Sequence, residues 1–353
     1  MEDSISEQSA VATTYHPYYK NYIERQILAS LIGIIAVLGF CGNCLVILAV
    51  ALSRKLRNST NVFVVNLALA DLLTCLFLPW TAIAILSEDG WTLPMIICIM
   101  DGFCLIMCLG CSINTLACIS INRLVLVTKA RQNYTWLYTP RKIAIMLFLI
   151  WLLPAIVATI PLVSEAGELG YDFYFSTCSW DSQNNGADLY GIIVTVSFYP
   201  FQLSTIVICY FYIFYYVRKH FKKVTASTEI PSVSGRHGGC HIANDINNQT
   251  AQSACSNVTY VKQKKLLWKR QVDVTKNLFY VVCMFLICFT PYAVCIIIQT
   301  SNVIFMYTVV ILLSNSCVNF FVYASKHPDF RNVFKCIFLC KFTSIPERAS
   351  FWH

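Results

Sequence analysis

The sequence predicts an all-α membrane protein, a seven-transmembrane helix bundle with a short amphipathic helix after the seventh span. Three observations predict it: seven long apolar stretches, basic residues gathered in alternate gaps between them, and 57% hydrophobic against 12% charged residues in a chain of 353. A helix needs ~20 apolar residues to cross a hydrocarbon core of about 30 Å, and each stretch approaches or exceeds that. Chains this apolar and this poor in charge suit lipid better than water.

The spans are expected at 27–52, 62–86, 96–127, 143–163, 189–217, 277–299 and 303–324. Orientation follows from Lys and Arg, because positive charge close to a span end is retained on the cytoplasmic side. Arg54, Lys55 and Arg57 follow the first span; Lys129, Arg131, Arg141 and Lys142 follow the third. Eleven more lie from Arg218 to Lys276, and five from Lys326 to Arg348. The three intervening connections carry none. The amino terminus is therefore expected outside and the carboxyl terminus inside. The net charge of +8 follows from this topology, so nucleic acid is not an expected partner; the lipid bilayer is.

Residues 1–26 read as an extracellular tail, 27–326 as the seven-span domain, 327–340 as a membrane-surface helix and 341–353 as a cytoplasmic tail. Within the domain, about 218–270 forms the third inner loop, whose Ser-, Thr-, Asn- and Gly-rich stretch 224–260 reads as flexible. The first 25 residues are polar and the first span exceeds a signal-peptide core in length, so no cleaved leader is expected. Sequons at Asn58, Asn133, Asn248 and Asn257 fall on the inner side and are expected to stay unmodified.

Of 18 cysteines, Cys98 and Cys178 alone fall on the oxidising side, which predicts one disulfide between the third span and the long outer loop; two free thiols are the alternative. The others pack as small apolar residues.

Polar residues inside lipid are costly and commonly functional. Asp71 reads as the one acidic side chain deep in a span, where it needs partners or a proton. Ser112, Asn43, Asn315, Ser316 and Asn319 can offer it oxygens or amides. Oxygen-rich cages favour hard cations, while a plain polar knot between helices is the other reading. Arg123 ends the third span, and Pro291 removes a backbone hydrogen bond from the sixth and kinks it.

Taken in order, Gly42-Asn43, Asn66 to Asp71, Asn122-Arg123, Trp151, Pro200, Cys288-Phe289-Thr290-Pro291 and Asn319 to Tyr323 resemble the rhodopsin-like (class A) G-protein-coupled receptors. The resemblance covers about 27–340, with a motif on every span. It implies a receptor that binds an extracellular ligand and activates a heterotrimeric G protein, with arrestin as a second partner, at the plasma membrane. It implies no enzymatic cofactor, and no metal beyond a sodium ion held as an allosteric modulator at Asp71, Ser112, Asn315, Ser316 and Asn319. The switch residues it implies are Asn122, Arg123, Phe285, Phe289, Pro291, Asn319 and Tyr323.

Several positions depart from the family pattern. The acid before the arginine is Asn122 and the following Tyr is Leu124; the acid of the inner lock is Gln271, with Asp273 nearby. Weaker restraint of Arg123, and hence raised basal signalling, is expected. Phe289 replaces a Trp and Phe320 a Pro, and a Tyr expected at Ile208 arrives two residues late as Tyr210.

A ligand cavity is expected between the third, fifth, sixth and seventh spans, at Leu105, Cys108, Leu109, Trp180, Phe289, Tyr292 and Tyr307. Leu105 stands where aminergic relatives carry Asp, and Leu313 where opsins carry the retinal lysine, so retinal is excluded. The outer loops hold Glu88, Asp89, Glu165, Glu168, Asp172, Asp181 and Asp188 without Lys or Arg, a field that disfavours anions. The Asn-Arg context is nearest to melatonin, medium-chain fatty acid and invertebrate orphan receptors. The missing outer Arg disfavours a fatty acid, and Val196 stands where the melatonin branch has His. A neutral lipid-like or indolic molecule, or a basic peptide, remains. Cys336 and Cys340, on the basic aromatic helix after the seventh span, are palmitoylation candidates. A transporter would show repeats and charged midplane sites, and a membrane enzyme convergent His, Cys or carboxylates; the spans show no repeat, no His and Asp71 alone at depth.

Overall fold

A computed structural model describes residues 22–164, 167–182, 184–228, 248–298 and 303–349. Its helices are α1 (Tyr22–Leu52), α2 (Ser59–Leu86), α3 (Met95–Thr128), α4 (Arg131–Leu137), α5 (Pro140–Val163), α6 (Ala187–Phe198), α7 (Pro200–Thr228), α8 (Asn248–Ile297), α9 (Val303–Lys326) and α10 (Pro328–Phe338). Strands β1 (Leu169–Asp172) and β2 (Thr177–Trp180) pair antiparallel, Tyr171 opposite Cys178. Seven segments are long and apolar enough to cross a membrane: α1, α2, α3, α5, the run Ala187–Lys219, and parts of α8 and α9. In lipid the backbone must satisfy its own hydrogen bonds, which is why the apolar stretches fold as helices.

The expected fifth span is two helices, because Pro200 lacks an N–H and Tyr199 falls between them. The expected flexible stretch 224–260 is helical at both ends, since α7 runs to Thr228 and α8 starts at Asn248. Residues 229–247 lie outside the described residues, as do 1–21 of the amino-terminal tail, Glu165, and the side chains of Asn248, Asn257 and Gln271.

α3 lies at the centre, packed on α2, α5 and α7, and carries a nearly continuous buried stripe from Cys98 to Val127. α5 and α7 face outward with apolar side chains such as Phe148, Leu153, Phe211 and Phe214, as helices beside lipid tails should. Buried polar groups tie the bundle together. Asn66 donates to Thr115 Oγ1 at 2.8 Å and accepts from Trp151 Nε1 at 2.9 Å, joining α2, α3 and α5. At Gly42, a Cβ would sit 2.7 Å from the Phe320 side chain, so α1 and α9 approach closely there because no side chain intervenes.

Beyond α9, α10 buries Phe330, Val333 and Phe334 against the bundle, and Lys55 pairs with Asp329 at 3.0 Å. The following chain folds back over the α1–α2 turn. Arg54 N donates to Glu347 O and Ala349 N to Leu52 O, both at 2.9 Å, while Ser53 Oγ donates to Pro346 O at 2.8 Å.

Candidate functional site

Three sites are stacked along the bundle. The first is a cavity of about 800 Å³ at the disulfide end. Cys98 and Cys178 are bonded, which fastens the β1–β2 hairpin to the head of α3. The hairpin seats closely because Gly102 carries no side chain; a Cβ there would lie 3.2 Å from Ser179 Cα. Leu105 and Leu109 on α3, Trp180 on the hairpin and Tyr292 on α8 line the cavity, together with Phe175, Tyr199, Phe305 and Leu313.

Cys108, Phe289 and Tyr307 do not line it, which corrects three expected positions. Cys108 is fully buried on a neighbouring face of α3, three residues past Leu105. Tyr307 is half-exposed on the outside of α9. Phe289 lies against Tyr199 and Tyr292, with ring centroids at 5.1 and 6.3 Å, so these two rings stand at the wall in its place.

Asp172, on the wall, accepts from the backbone N–H of Tyr174, Phe175 and Ser182. Burial raises its carboxyl above the usual carboxylate range, and these hydrogen bonds oppose the shift. Asp101 lies buried within α3, so Asp71 is not the one acid within a span. Asp101 is fully buried, accepts from Thr81 Oγ1 at 3.0 Å through Oδ2, and leaves Oδ1 without a partner. Its signal in the sequence was its place one helical turn before Leu105.

From the cavity an aromatic column descends the bundle. Phe175 meets Phe305 at 4.7 Å, Phe305 meets Tyr292 at 5.6 Å, and Tyr292 meets Phe289. Phe289 stacks on Phe285 at 5.4 Å. Tyr199 shares a 2.8 Å hydrogen bond with Thr290, directly before Pro291. Edge-to-face and offset contacts of this kind each contribute about 0.5–1.5 kcal/mol beyond area burial.

The second site surrounds Asp71. Asn319 Nδ2 donates to Asp71 Oδ2 at 2.7 Å and Ser112 Oγ to Oδ1 at 3.2 Å. Asn315 and Asn319 each keep a buried Oδ1 without a partner. Asn43 does not reach the carboxylate; its amide donates to the carbonyls of Gly39 and Ser316, at 2.9 and 2.7 Å. Ser316 contributes to that contact through its backbone.

The third site is Arg123, buried at the far end of α3 among Tyr134, Tyr210 and Tyr323. Asn122 turns the other way: its Oδ1 accepts from Thr60 at 2.6 Å and its Nδ2 donates to Tyr134 at 3.2 Å. Asp273 pairs with Lys276 on its own helix at 3.6 Å. No acid among the described residues pairs with Arg123, and its Nε has no partner. Tyr210 approaches the guanidinium, whereas Ile208 faces outward.

The model of the 7 transmembrane receptor (rhodopsin family) matches residues 42–323, most of the chain. The chain belongs to this receptor family. G-protein coupled receptor moody of Drosophila melanogaster is 24% identical over 97% of this chain and 56% of its own length. The GQ-coupled rhodopsin of Mizuhopecten yessoensis is 28% identical over 86% of this chain and 58% of its own length. Melatonin receptor type 1A of Ovis aries is 34% identical, over 52% of this chain and 49% of its own length. The chain spans about half the length of the curated relatives it matches. The crystal structure of squid rhodopsin superposes with a TM-score of 0.70 at 21% identity, covering 92% of this chain and 88% of that one, a likeness of fold. The rhodopsin-family receptor is thus a multi-pass membrane protein.

Proposed function

We propose that this receptor binds a small extracellular molecule in the cavity and activates a heterotrimeric G protein at the Arg123 end, with arrestin as its second partner. The amino terminus faces outward and the basic connections face the cell interior. The observation that carries the reading is the aromatic column. It connects Phe175, Phe305 and Tyr292 at the cavity to Phe289 and Phe285 beneath Pro291.

A ligand that favours one packing of these rings shifts the balance between two positions of α8, because a packed interface changes in discrete steps. Outward movement of the Arg123 end of α8 opens the cleft beside Arg123, whose unpaired Nε is then free to meet a partner's carbonyls. The cavity volume favours a small molecule over a peptide held entirely within it.

Asp71 with Ser112, Asn315 and Asn319 suits a sodium ion, since the unpartnered amide oxygens are acceptors that a hard cation satisfies. Among the palmitoylation candidates Cys340 is exposed, while Cys336 Sγ lies 3.5 Å from Ser344 O under the returning tail.

The test is nucleotide exchange on added G protein by the purified receptor in lipid nanodiscs, beside Arg123→Ala. Exchange above background that the variant lacks supports the reading. Equal rates for both proteins overturn it.

A further inference from the structure

We infer that the α2–α3 corner of the cavity holds the head group of the ligand, and that this head is an ammonium. The inference rests on the reading of the cavity as the ligand site and adds the chemical class.

Thr81 on α2 lines the cavity and bonds to Asp101 on α3, and Gly102 and Leu105 of α3 line it too. A threonine hydroxyl has one proton, and Thr81 gives it to Asp101 Oδ2. With its proton engaged at Asp101, the Thr81 hydroxyl can meet a ligand only as an acceptor, which suits a donor and disfavours a carboxylate. Behind it Asp101 is fully buried with Oδ1 unpartnered. A buried carboxylate oxygen without a donor is costly; a proton relieves that cost, and so does a cation brought close.

The described protein supplies no such cation. Arg25, which reaches the end of α2, directs its guanidinium to the carbonyls of Ile85 and Ser87, at 3.2 and 2.8 Å. Among the described residues no Lys, Arg or His lines the cavity, whereas Asp172 and Asp188 do. Asp172 is held by three backbone N–H groups, and Asp188 is exposed. Asp101 behind Thr81 is thus the buried, under-satisfied acid at the apolar body of the cavity. An N–H-bearing cation at Thr81 meets the field of Asp101 while the rest of the molecule lies on Leu105, Leu109, Phe305 and Val309. The anchor differs from one at Leu105 itself, where the side chain is aliphatic.

Leu105→Cys places a reporter thiol at this corner, one helical turn from Asp101. Purified receptor in nanodiscs is treated with methanethiosulfonates carrying an ammonium, a sulfonate or a neutral methyl group. Modification of the introduced thiol is followed by peptide mass spectrometry and normalised to a free thiol in solution. The ammonium-to-sulfonate rate ratio is expected about tenfold above the free-thiol ratio. It should fall several-fold in Leu105→Cys/Asp101→Asn and in Leu105→Cys/Thr81→Val. A ratio equal to that of the free thiol overturns the inference while leaving the cavity in place. A raised ratio that neither second substitution lowers assigns the field to the loop acids and likewise overturns it. Failure of even the neutral reagent to reach the introduced thiol shows the cavity closed, which overturns the ligand-site reading instead. Thermal unfolding of each variant checks its fold, and Thr81→Val keeps the test open if Asp101→Asn fails to fold.

Discussion

Asn122→Asp restores a carboxylate beside Arg123, and the surroundings of Asn122 accept it without repacking. Thr60 Oγ1 already donates to Oδ1, and the hydroxyl of Tyr134, now an acceptor, can reverse and donate to the second oxygen. The new charge points to Thr60 and Tyr134, on the residue directly before Arg123, whose guanidinium has no acid partner among the described residues. At a separation of roughly 6 Å and an effective dielectric of about 20, the attraction is about 3 kcal/mol. Desolvating the carboxylate removes a part of this, leaving about 1–2 kcal/mol in favour of the packing that keeps Arg123 buried. Such a bias lowers the open population about 5- to 30-fold.

Agonist-free nucleotide exchange in nanodiscs measures that population, with Asn122→Ala separating loss of the Thr60 and Tyr134 bonds from gain of charge. Basal exchange is expected to drop in Asn122→Asp and not in Asn122→Ala. An Asn122→Asp rate at or above that of the unmodified receptor would refute the reasoning. So would an unmodified receptor already as silent as Arg123→Ala, because the premise of a weakly restrained arginine would then be gone.

Other perturbations probe the remaining sites. Gly42→Ala pushes a methyl to 2.7 Å from Phe320, so thermal unfolding should show a loss of about 1–3 kcal/mol; an unchanged midpoint would mean α1 and α9 are not held this closely. Cys98→Ser releases a bridge that spans 80 residues, worth about 4 kcal/mol on chain-entropy grounds, and surface expression should fall sharply; normal expression would disprove the anchoring role. Ala349→Pro deletes the N–H that binds Leu52 O, and hydrogen exchange at Arg54 should quicken, whereas unaltered protection would show that the tail does not clasp the α1–α2 turn. Asp71→Asn removes the charge that a cation would balance, so added sodium should stabilise the unmodified receptor and not the variant; equal stabilisation would exclude Asp71 as its site.

The spans were legible because lipid leaves the backbone one local solution, and hydrophobic length alone then marks each helix. The Cys98–Cys178 bond was legible for a related reason, as sidedness left two thiols on one face. Rotation of a helix about its axis was not. Leu105 and Leu109 face the cavity while Cys108 between them lies on a neighbouring face, a matter of about 100° per residue that apolar composition on all sides conceals. The sequence conceals Asp101 for the same reason: near the end of a span an acid ordinarily reaches water, and only its packing against Thr81 shows that it does not. The returning tail carries no periodicity; its contacts with Leu52, Ser53 and Arg54 are made by backbone groups, on which side chains leave little trace.

The placement of Phe289 changes how efficacy must arise. Were it on the cavity wall, any ligand filling the cavity would touch the switch directly. Instead Tyr292 and Tyr199 stand between, Tyr292 in contact with Phe305 and Tyr199 bonded to Thr290 beside Pro291. A molecule confined to the Thr81 corner makes contacts that differ little between the two packings of the column, and a ligand shifts an equilibrium only by its differential affinity. Affinity and efficacy are then set at different places: the head group at Thr81 fixes whether the molecule stays, and the reach of its body to Phe305 and Tyr292 fixes whether α8 moves. A series with a constant ammonium head and a lengthening apolar body should pass from antagonist to agonist at the length that reaches Tyr292. Agonism already present in the shortest binding member would break the assignment of the column as the transmitting element.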